Sequence, residues 1–183
     1  MDVVYTTKEL LKNGETEYSI RMKLNSGLLT RLERGVYATR QDHVIYDEEL
    51  LCKKYPKAVI TGLSAFYLYD LTDHIPDFYY LATEQHSYPI RRKEVKQSYQ
   101  DASFFNVGIV EKEVGGVMVR IYDLERLFIE LLRLKEKYPS DVYYEVLNSF
   151  RNIKDSIDFY KLSQYLRKFP NQDSLIEKTM EVI

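Results

Sequence analysis

The sequence predicts an α+β fold in two parts, a small amino-terminal domain over residues 1–42 and a larger domain over residues 43–183. In the first part, two helical patterns with polar caps precede two β-prone runs; in the second, strands and a hairpin precede helices. The composition agrees, since 45% hydrophobic residues with only 7 glycines and 5 prolines indicate a chain that folds around a core.

Two short helices are expected near the amino terminus. Thr6 and Glu9 have the spacing of a capping box, which predicts a helix that begins at Thr6 and ends near Asn13-Gly14. Thr16 is expected to cap a second helix that runs to about Ser26-Gly27. The two helices are therefore separated by a tight turn that contains a glycine.

Two β-prone runs follow the second helix and are expected to pair. Residues 28–38 read Leu-Leu-Thr-Arg-Leu-Glu-Arg-Gly-Val-Tyr-Ala, so a glycine interrupts the run as in a small hairpin. Helix, tight turn, helix and hairpin within forty residues are the elements of a winged helix-turn-helix, whose second helix enters the major groove of DNA. The first domain is therefore predicted to bind double-stranded DNA.

The second helix is the candidate recognition element. Ile20 and Leu24, four residues apart, form its inward face, while Arg21 and Asn25 face outward and can pair bidentately with guanine and adenine. Tyr18 is suited to a sugar or a thymine methyl, and the basic residues to phosphates. The predicted DNA-binding residues are Thr16, Tyr18, Arg21, Lys23, Asn25, Arg31 and Arg34. The alternative is a solvated helix face with ordinary surface charge.

The charge distribution favours the DNA-binding interpretation. The chain as a whole carries a formal charge of -2, yet residues 16–40 contain five basic residues against two acidic ones, a difference of +3. Counterion release depends on the charges at the interface and not on the total, so a local basic patch is sufficient for contact with phosphates.

The second domain is predicted to alternate strands and helices. A helix is expected over 47–54, a strand over 58–60, a buried helix over 62–69 and a strand over 78–82. Strands at 107–114 and 117–122 flank Gly115-Gly116, a strong hairpin signal. Asp123 is expected to cap a long helix, and further helices are predicted at about 141–151, 158–168 and 173–183.

A second basic cluster lies in the larger domain and is formed by Arg91, Arg92, Lys93 and Lys96, with only Glu94 opposing them. It can extend the DNA surface, contact an acidic partner or RNA, or form a plain solvated loop. The residues alone leave these alternatives open.

One enzymatic alternative arises from the same region. Pro76-Asp77 followed by Glu94-Val95-Lys96 has the form of the PD-(D/E)xK signature, in which two carboxylates bind magnesium and a lysine assists the attacking water. Such a site requires Asp77 and Glu94 on neighbouring strands, and residues 91–96 are too polar for a buried central strand. Chance carboxylates on a turn and a charged edge are the preferred interpretation, so no enzymatic activity is expected.

Neither a metal, a cofactor nor a membrane is expected as a partner. One cysteine, Cys52, and three scattered histidines, His43, His74 and His86, do not have the spacing of a zinc site. The chain has neither an apolar run long enough to span a membrane nor the pattern of a signal peptide, which predicts a cytoplasmic location.

Three segments carry a resemblance to a known family. Residues 26–37, Ser-Gly-Leu-Leu-Thr-Arg-Leu-Glu-Arg-Gly-Val-Tyr, look like the family's wing, and residues 58–71 are similar to the strand and helix that follow its winged domain. Residues 116–133 are like its hairpin and a helix that opens with Glu-Arg-Thr, although Leu127 stands here in place of that threonine. The chain thus resembles the AbiEi-type antitoxins of abortive-infection toxin-antitoxin systems and their transcriptional-regulator relatives.

The resemblance implies a function for each domain. The winged domain is expected to repress its own operon at inverted repeats, and the larger domain is expected to counteract a nucleotidyltransferase-like toxin encoded alongside. An antitoxin that acts only through protein interaction, without binding DNA, is the main alternative.

Overall fold

The computed structural model describes residues 4–39 and 47–182, and over these ranges the chain has a mixed α+β fold with two β-sheets. Its helices are Thr7–Lys12 (α1), Glu17–Asn25 (α2), Asp47–Lys54 (α3), Gly62–Leu68 (α4), Ala102–Phe105 (α5), Leu124–Arg133 (α6), Ser140–Asn152 (α7), Phe159–Leu166 (α8) and Gln172–Val182 (α9). Its strands are Val4–Thr6 (β1), Leu29–Glu33 (β2), Val36–Thr39 (β3), Val59–Ile60 (β4), Tyr79–Glu84 (β5), Val95–Gln100 (β6), Ile109–Val114 (β7) and Val117–Tyr122 (β8). Among the described helices, none has the length and apolar character needed to cross a membrane.

The chain divides into two compact units. One comprises Met1–Lys57 and Glu113–Val119, and the other comprises Ala58–Lys112 and Arg120–Ile183. Helix α3 therefore groups with the amino-terminal unit. The boundary expected between residues 42 and 43 lies outside the described residues.

The predicted caps of the first two helices are confirmed. The Thr6 hydroxyl accepts a hydrogen bond from the Glu9 amide at 3.2 Å, and the Glu9 carboxylate accepts one from the Thr6 amide at 2.7 Å. Thr16 and Ser19 form a second reciprocal pair at 3.1 and 2.8 Å. Each pair satisfies amides that a helix start leaves without partners, so these short helices begin where the sequence places them.

The first sheet has the order β1-β3-β2, with antiparallel pairing throughout. The hairpin of β2 and β3 was predicted, whereas β1 was not, because its three residues are too few for a period-two pattern. A register shift interrupts the hairpin between Arg31 and Glu33. Leu10, Ile20 and Leu29 form the core that joins the two helices to this sheet.

The second sheet has the order β6-β5-β4-β8-β7. Strand β5 is parallel to β6 and antiparallel to β4, while β4 is parallel to β8. The hairpin of β7 and β8 turns at Gly115 and Gly116, whose φ values of 58° and 85° match the two left-handed residues that a tight hairpin turn requires. This hairpin and the helix capped by Asp123 are confirmed as predicted.

Strand β6 was not predicted. It carries Lys96, Gln97, Ser98 and Gln100, and such a sequence lacks the apolar alternation of a half-buried strand. Its place at the end of the strand order explains the composition, because an edge strand meets solvent along one side. The polar composition thus excludes a central strand but not an edge strand.

Helix α6 is the centre of the second unit. Eight of its ten residues, 125–132, are buried, and it packs against α4, α7, α8 and α9. Phe128 meets Phe150 of α7 with ring centroids 5.1 Å apart and the rings tilted by 67°. Burial of this kind is the main favourable contribution to folding of such a helix.

Gly108 packs against the first turn of α6, and we expect its replacement to lower the stability of the fold. Its φ is +78°, and a Cβ atom would lie 2.5 Å from Arg126 Cβ and 2.8 Å from Asp123 Oδ1. We expect Gly108→Ala to lower the free energy of unfolding by about 2–3 kcal/mol, measured by urea denaturation. Gly116→Ala is the control, because that glycine has a φ of +85° but faces open space. Equal losses in the two variants would contradict the steric argument.

Candidate nucleic-acid interface

Four outward residues of α2 form one exposed stripe. Tyr18, Arg21, Met22 and Asn25 follow each other at intervals of three, one and three residues, which places them on the same helix face. All four are exposed, and Tyr18 and Met22 retain 71% and 49% of their accessible surface. On the opposite face, Ile20 is buried in the core. The stripe therefore presents a guanidinium, a carboxamide, a phenol and a thioether to the solvent.

The amino-terminal end of α2 is held by the turn before it. Gly14 has a φ of +90°, which lets the chain reverse between α1 and α2 within four residues. Thr16 is exposed, and its hydroxyl already accepts the Ser19 amide. Thr16 was predicted to contact DNA, and its hydroxyl also caps the amino-terminal end of α2.

Lys23 differs from the other predicted contacts because its ammonium group is paired within the protein. It forms an ion pair with Glu15, whose carboxylate also accepts a hydrogen bond from the Ser19 hydroxyl at 2.6 Å. The hydrogen bonds from Lys23 and Ser19 hold the pKa of Glu15 below its usual value. A contact of Lys23 with phosphate consequently requires this pair to open.

The hairpin places Arg31 and Arg34 on exposed positions. The Arg31 Nε donates to the Glu33 carbonyl at 3.3 Å, which orients that side chain along the strand. Arg34 precedes Gly35 at the turn, and the Glu33 carboxylate is paired with Lys54 of α3. The acid between the two arginines is thus neutralised from within the unit.

The charges that remain exposed on this unit are mostly positive. Three of its acids, Glu9, Glu15 and Glu33, form ion pairs with Lys53, Lys23 and Lys54. Among the described residues of the unit, exposed basic side chains stand at Lys8, Lys12, Arg21, Arg31, Arg34 and Lys57, and exposed acidic ones at Glu17, Asp47 and Glu113. Arg40, which contributed to the predicted charge of +3, lies outside the described residues.

The second basic cluster is only partly available for contact. Arg91 and Lys93 are exposed, whereas the Arg92 guanidinium is paired with Glu94 at 2.6 Å. The Lys96 ammonium lies 4.1 Å from the centroid of the Phe78 ring. The cluster is therefore divided into two exposed cations on a loop, one cation paired with Glu94 and one held against aromatic rings.

The two acids of the nuclease signature lie just before two adjacent strands. Asp77 precedes β5 and Glu94 precedes β6, and the Tyr79 amide donates to the Glu94 carbonyl at 2.8 Å. The two strands are neighbours, as the signature requires. However, Asp77 is exposed and the Glu94 carboxylate is bound to Arg92. Over the described ranges, no three acidic, histidine or cysteine side chains are grouped as a metal site.

Helix α6 carries a buried polar network that was not predicted from the sequence. Arg126 is fully buried, and its Nη2 lies 2.9 Å from the Glu130 Oε1. Its Nη1 donates to the Phe104 carbonyl at 2.9 Å, and its guanidinium lies 4.5 and 4.4 Å from the ring centroids of Tyr122 and Phe169. The signal available in the sequence is a charged pair four residues apart within an apolar helix.

The neighbouring turns continue this network at the start of α8. The Lys161 ammonium lies 2.9 Å from Asp123 and 2.8 Å from Glu125, and the Tyr165 hydroxyl donates to Asp123 at 3.0 Å. Burial, followed by the charge of Asp123, raises the pKa of Tyr165 to about 12. Glu125 also accepts from the Asp158 amide at 2.9 Å. These bonds cap and tie two helices, so their role is structural.

A solved mycobacterial structure has a similar fold. A crystal structure of the Rv2827c protein from Mycobacterium tuberculosis matches with a TM-score of 0.62 and 14% sequence identity, over 93% of this chain and 68% of that one. At this identity the match shows the fold alone. No family model matches the chain, and no curated protein matches it in sequence.

Proposed function

We propose that the chain is a DNA-binding transcriptional repressor and the antitoxin of a toxin-antitoxin system. The observation that carries the DNA-binding half is the exposed stripe of α2, in which Arg21 and Asn25 stand four residues apart. Guanidinium and carboxamide groups are the side chains that pair bidentately with guanine and adenine in the major groove. Their spacing of four residues places both on one face of α2.

The amino-terminal unit supports a winged helix-turn-helix interpretation. Strand β1, helices α1 and α2 and the β2-β3 hairpin follow one another in the order of a winged domain after its first helix. Helix α3 follows the hairpin and packs on β1 and β3, so we assign to it the role of that first helix. In this arrangement α2 enters the major groove and the hairpin lies along the backbone.

The contacts divide into base readout and phosphate binding. We assign Arg21 and Asn25 to base edges and Tyr18 to a sugar or a thymine methyl. Arg31 and Arg34 are assigned to phosphates, because they are exposed cations on the hairpin. Lys23 contributes only when its pair with Glu15 opens.

The antitoxin half rests on the resemblance to AbiEi-type proteins. On that basis we propose that the second unit counteracts a nucleotidyltransferase-like toxin and that the first represses the shared operon from inverted repeats. Because the proposed partners are operator DNA and a toxin encoded alongside, we also propose a cytoplasmic location. Neither proposal involves a cofactor.

An electrophoretic shift assay with the protein's own upstream region tests the DNA-binding half. We expect retardation at or below micromolar protein that weakens steeply as salt rises, because phosphate contacts release counterions. Retardation that is absent at micromolar protein in low salt would remove the proposal.

Co-expression with the neighbouring gene product tests the antitoxin half. If that product is toxic, the full chain should restore growth. A chain with Arg21→Ala and Asn25→Ala should restore growth equally, because we assign neutralisation to the second unit. The protein-interaction alternative is favoured only if the wild type restores growth and does not retard the upstream DNA. Incubation of the wild type with plasmid in magnesium or manganese tests the nuclease alternative, for which we expect no cleavage.

Glu15→Gln is expected to strengthen DNA binding. The substitution removes the partner of Lys23, whose ammonium then becomes free to reach a phosphate. We expect about fivefold higher affinity and a salt slope steeper by about 0.9, measured by fluorescence anisotropy over a salt series. Glu17→Gln is the control, since it changes the net charge equally but releases no lysine. A slope change in both variants alike would contradict a specific role for Lys23.

A further inference from the structure

Strand β6 forms one edge of the five-stranded sheet. It pairs with β5 along all six of its residues, from Val95 opposite Tyr79 to Gln100 opposite Glu84. It is the last strand in the order, so within the described part of the chain its other side has no strand beside it.

The register identifies which main-chain groups point away from the sheet. The Tyr79 amide donates to the Glu94 carbonyl at 2.8 Å, and the Gln85 amide donates to the Gln100 carbonyl at 2.7 Å. In a parallel ladder, alternate residues face the partner strand. Lys96 and Ser98 therefore use their main-chain groups toward β5, and the amides and carbonyls of Gln97 and Tyr99 point outward.

This edge has few of the features that usually prevent strand addition. Short length, proline and bulges are the common ones, together with charge. Strand β6 has six residues, no proline and a register without a shift. Of these four features, the edge has only charge, which is carried by Arg91, Lys93 and Lys96. Like charges repel a second copy of the same edge, whereas they attract an acidic strand.

Two exposed tyrosines lie beside the edge. Tyr99 retains 50% of its accessible surface and Tyr88 retains 93%. Tyrosine and arginine are enriched where protein interfaces gain most of their affinity. The Gln97 side chain donates to the Tyr88 carbonyl at 3.3 Å and accepts from the Ile90 amide at 2.7 Å, which fixes this loop beside β6.

We propose that the outer edge of β6 docks an extended, acidic segment of a partner protein, which joins the sheet as a sixth strand. The outward amides and carbonyls of Gln97 and Tyr99 supply main-chain hydrogen bonds, as in other cases of strand addition. Arg91 and Lys93 select acidic side chains, and Tyr99 supplies apolar contact. Main-chain donors and acceptors in alternation match another backbone better than they match phosphates. The inference stands independently of DNA binding and of the toxin's identity.

A peptide display selection on the full chain tests this proposal. The probe is a random library of twelve-residue peptides, and we expect the selected peptides to be rich in Asp and Glu and to bind with micromolar Kd. Binding should slow hydrogen exchange at the amides of Gln97 and Tyr99. Tyr99→Pro removes an outward donor without removing a ladder bond and should weaken binding at least tenfold, whereas Tyr99→Phe should not.

A second variant keeps the test decisive if Tyr99→Pro impairs folding. Arg91→Glu with Lys93→Glu leaves β6 unchanged and should abolish binding of the acidic peptides. The proposal is overturned if no acidic peptides are selected, if they bind both variants like the wild type, or if exchange slows elsewhere. It is also overturned if twelve-nucleotide oligothymidine displaces the peptides, or if Tyr99→Pro merely dissociates a dimer. Binding to the upstream DNA is measured in parallel, and its presence or absence does not change the outcome of this test.

Discussion

Replacing Arg126 by methionine is expected to lower the free energy of unfolding of the second unit by about 3–5 kcal/mol. The side chain is fully buried, and it is the ion-pair partner of Glu130, which is itself 1% exposed. Methionine fills a similar volume but leaves the Glu130 carboxylate with the Thr61 hydroxyl as its remaining partner. An uncompensated buried charge is among the most destabilising changes a protein can carry. Urea denaturation followed by circular dichroism measures the loss.

Two further variants separate charge from packing. Adding Glu130→Leu to Arg126→Met should recover most of the lost stability, because an apolar pair can replace a buried ion pair at little cost. Arg133→Met is the matched control, since its guanidinium lies over the Phe104 and Phe169 rings that also flank Arg126, at 5.1 and 4.8 Å. It should cost less than Arg126→Met. A double variant as unstable as Arg126→Met would show that shape, and not charge, dominates.

The second large effect is expected in DNA affinity. Arg21→Ala combined with Asn25→Ala should cost about 2–6 kcal/mol of operator binding, because each bidentate base contact contributes about 1–3 kcal/mol. Both side chains are exposed, so the variant should fold like the wild type. Fluorescence anisotropy with the operator and with a scrambled duplex measures the change. The loss should be large on the operator and small on the scrambled DNA.

Arg34→Ala is the control for this experiment. It lies at the hairpin turn and is assigned to phosphate, so its loss should weaken binding to both duplexes equally and reduce the salt slope by about 0.9. If Arg34→Ala were selective for the operator, or the double variant unselective, the division between readout and backbone contact would be wrong.

The local architecture of the amino-terminal unit could be predicted because its signals lie within a few residues of each other. Thr6 with Glu9, Thr16, and the glycine that breaks residues 28–38 each determine a helix start or a turn. The ion pair of Lys23 with Glu15 could not be predicted, because it joins the turn to the helix across eight positions. The sequence shows which residues are charged, and only the fold shows which are already paired.

The second unit was harder to predict because its decisive contacts are distant in sequence. Strand β6 forms because it pairs with β5, and its position at the edge of the sheet accommodates its polar residues. Asp77 and Glu94 were interpreted as chance carboxylates on a turn and a charged edge, and they lie just before two neighbouring strands. Among the described residues, no third acidic, histidine or cysteine side chain joins them in a metal site. Arg126 and Glu130 were visible as a helical pair, but their partners Phe104, Thr61 and Phe169 come from three separate segments.

Those three segments have a consequence for synthesis on the ribosome. Arg126 and Glu130 emerge after Thr61 and Phe104 but before Phe169, which comes 43 positions after Arg126. At about 5–20 residues per second, several seconds separate the first charge from the last ring that encloses it. During that interval the two charges stay near water, and the helix that carries them remains without its final cover. The second unit is therefore expected to complete its folding only after Phe169 has left the ribosome.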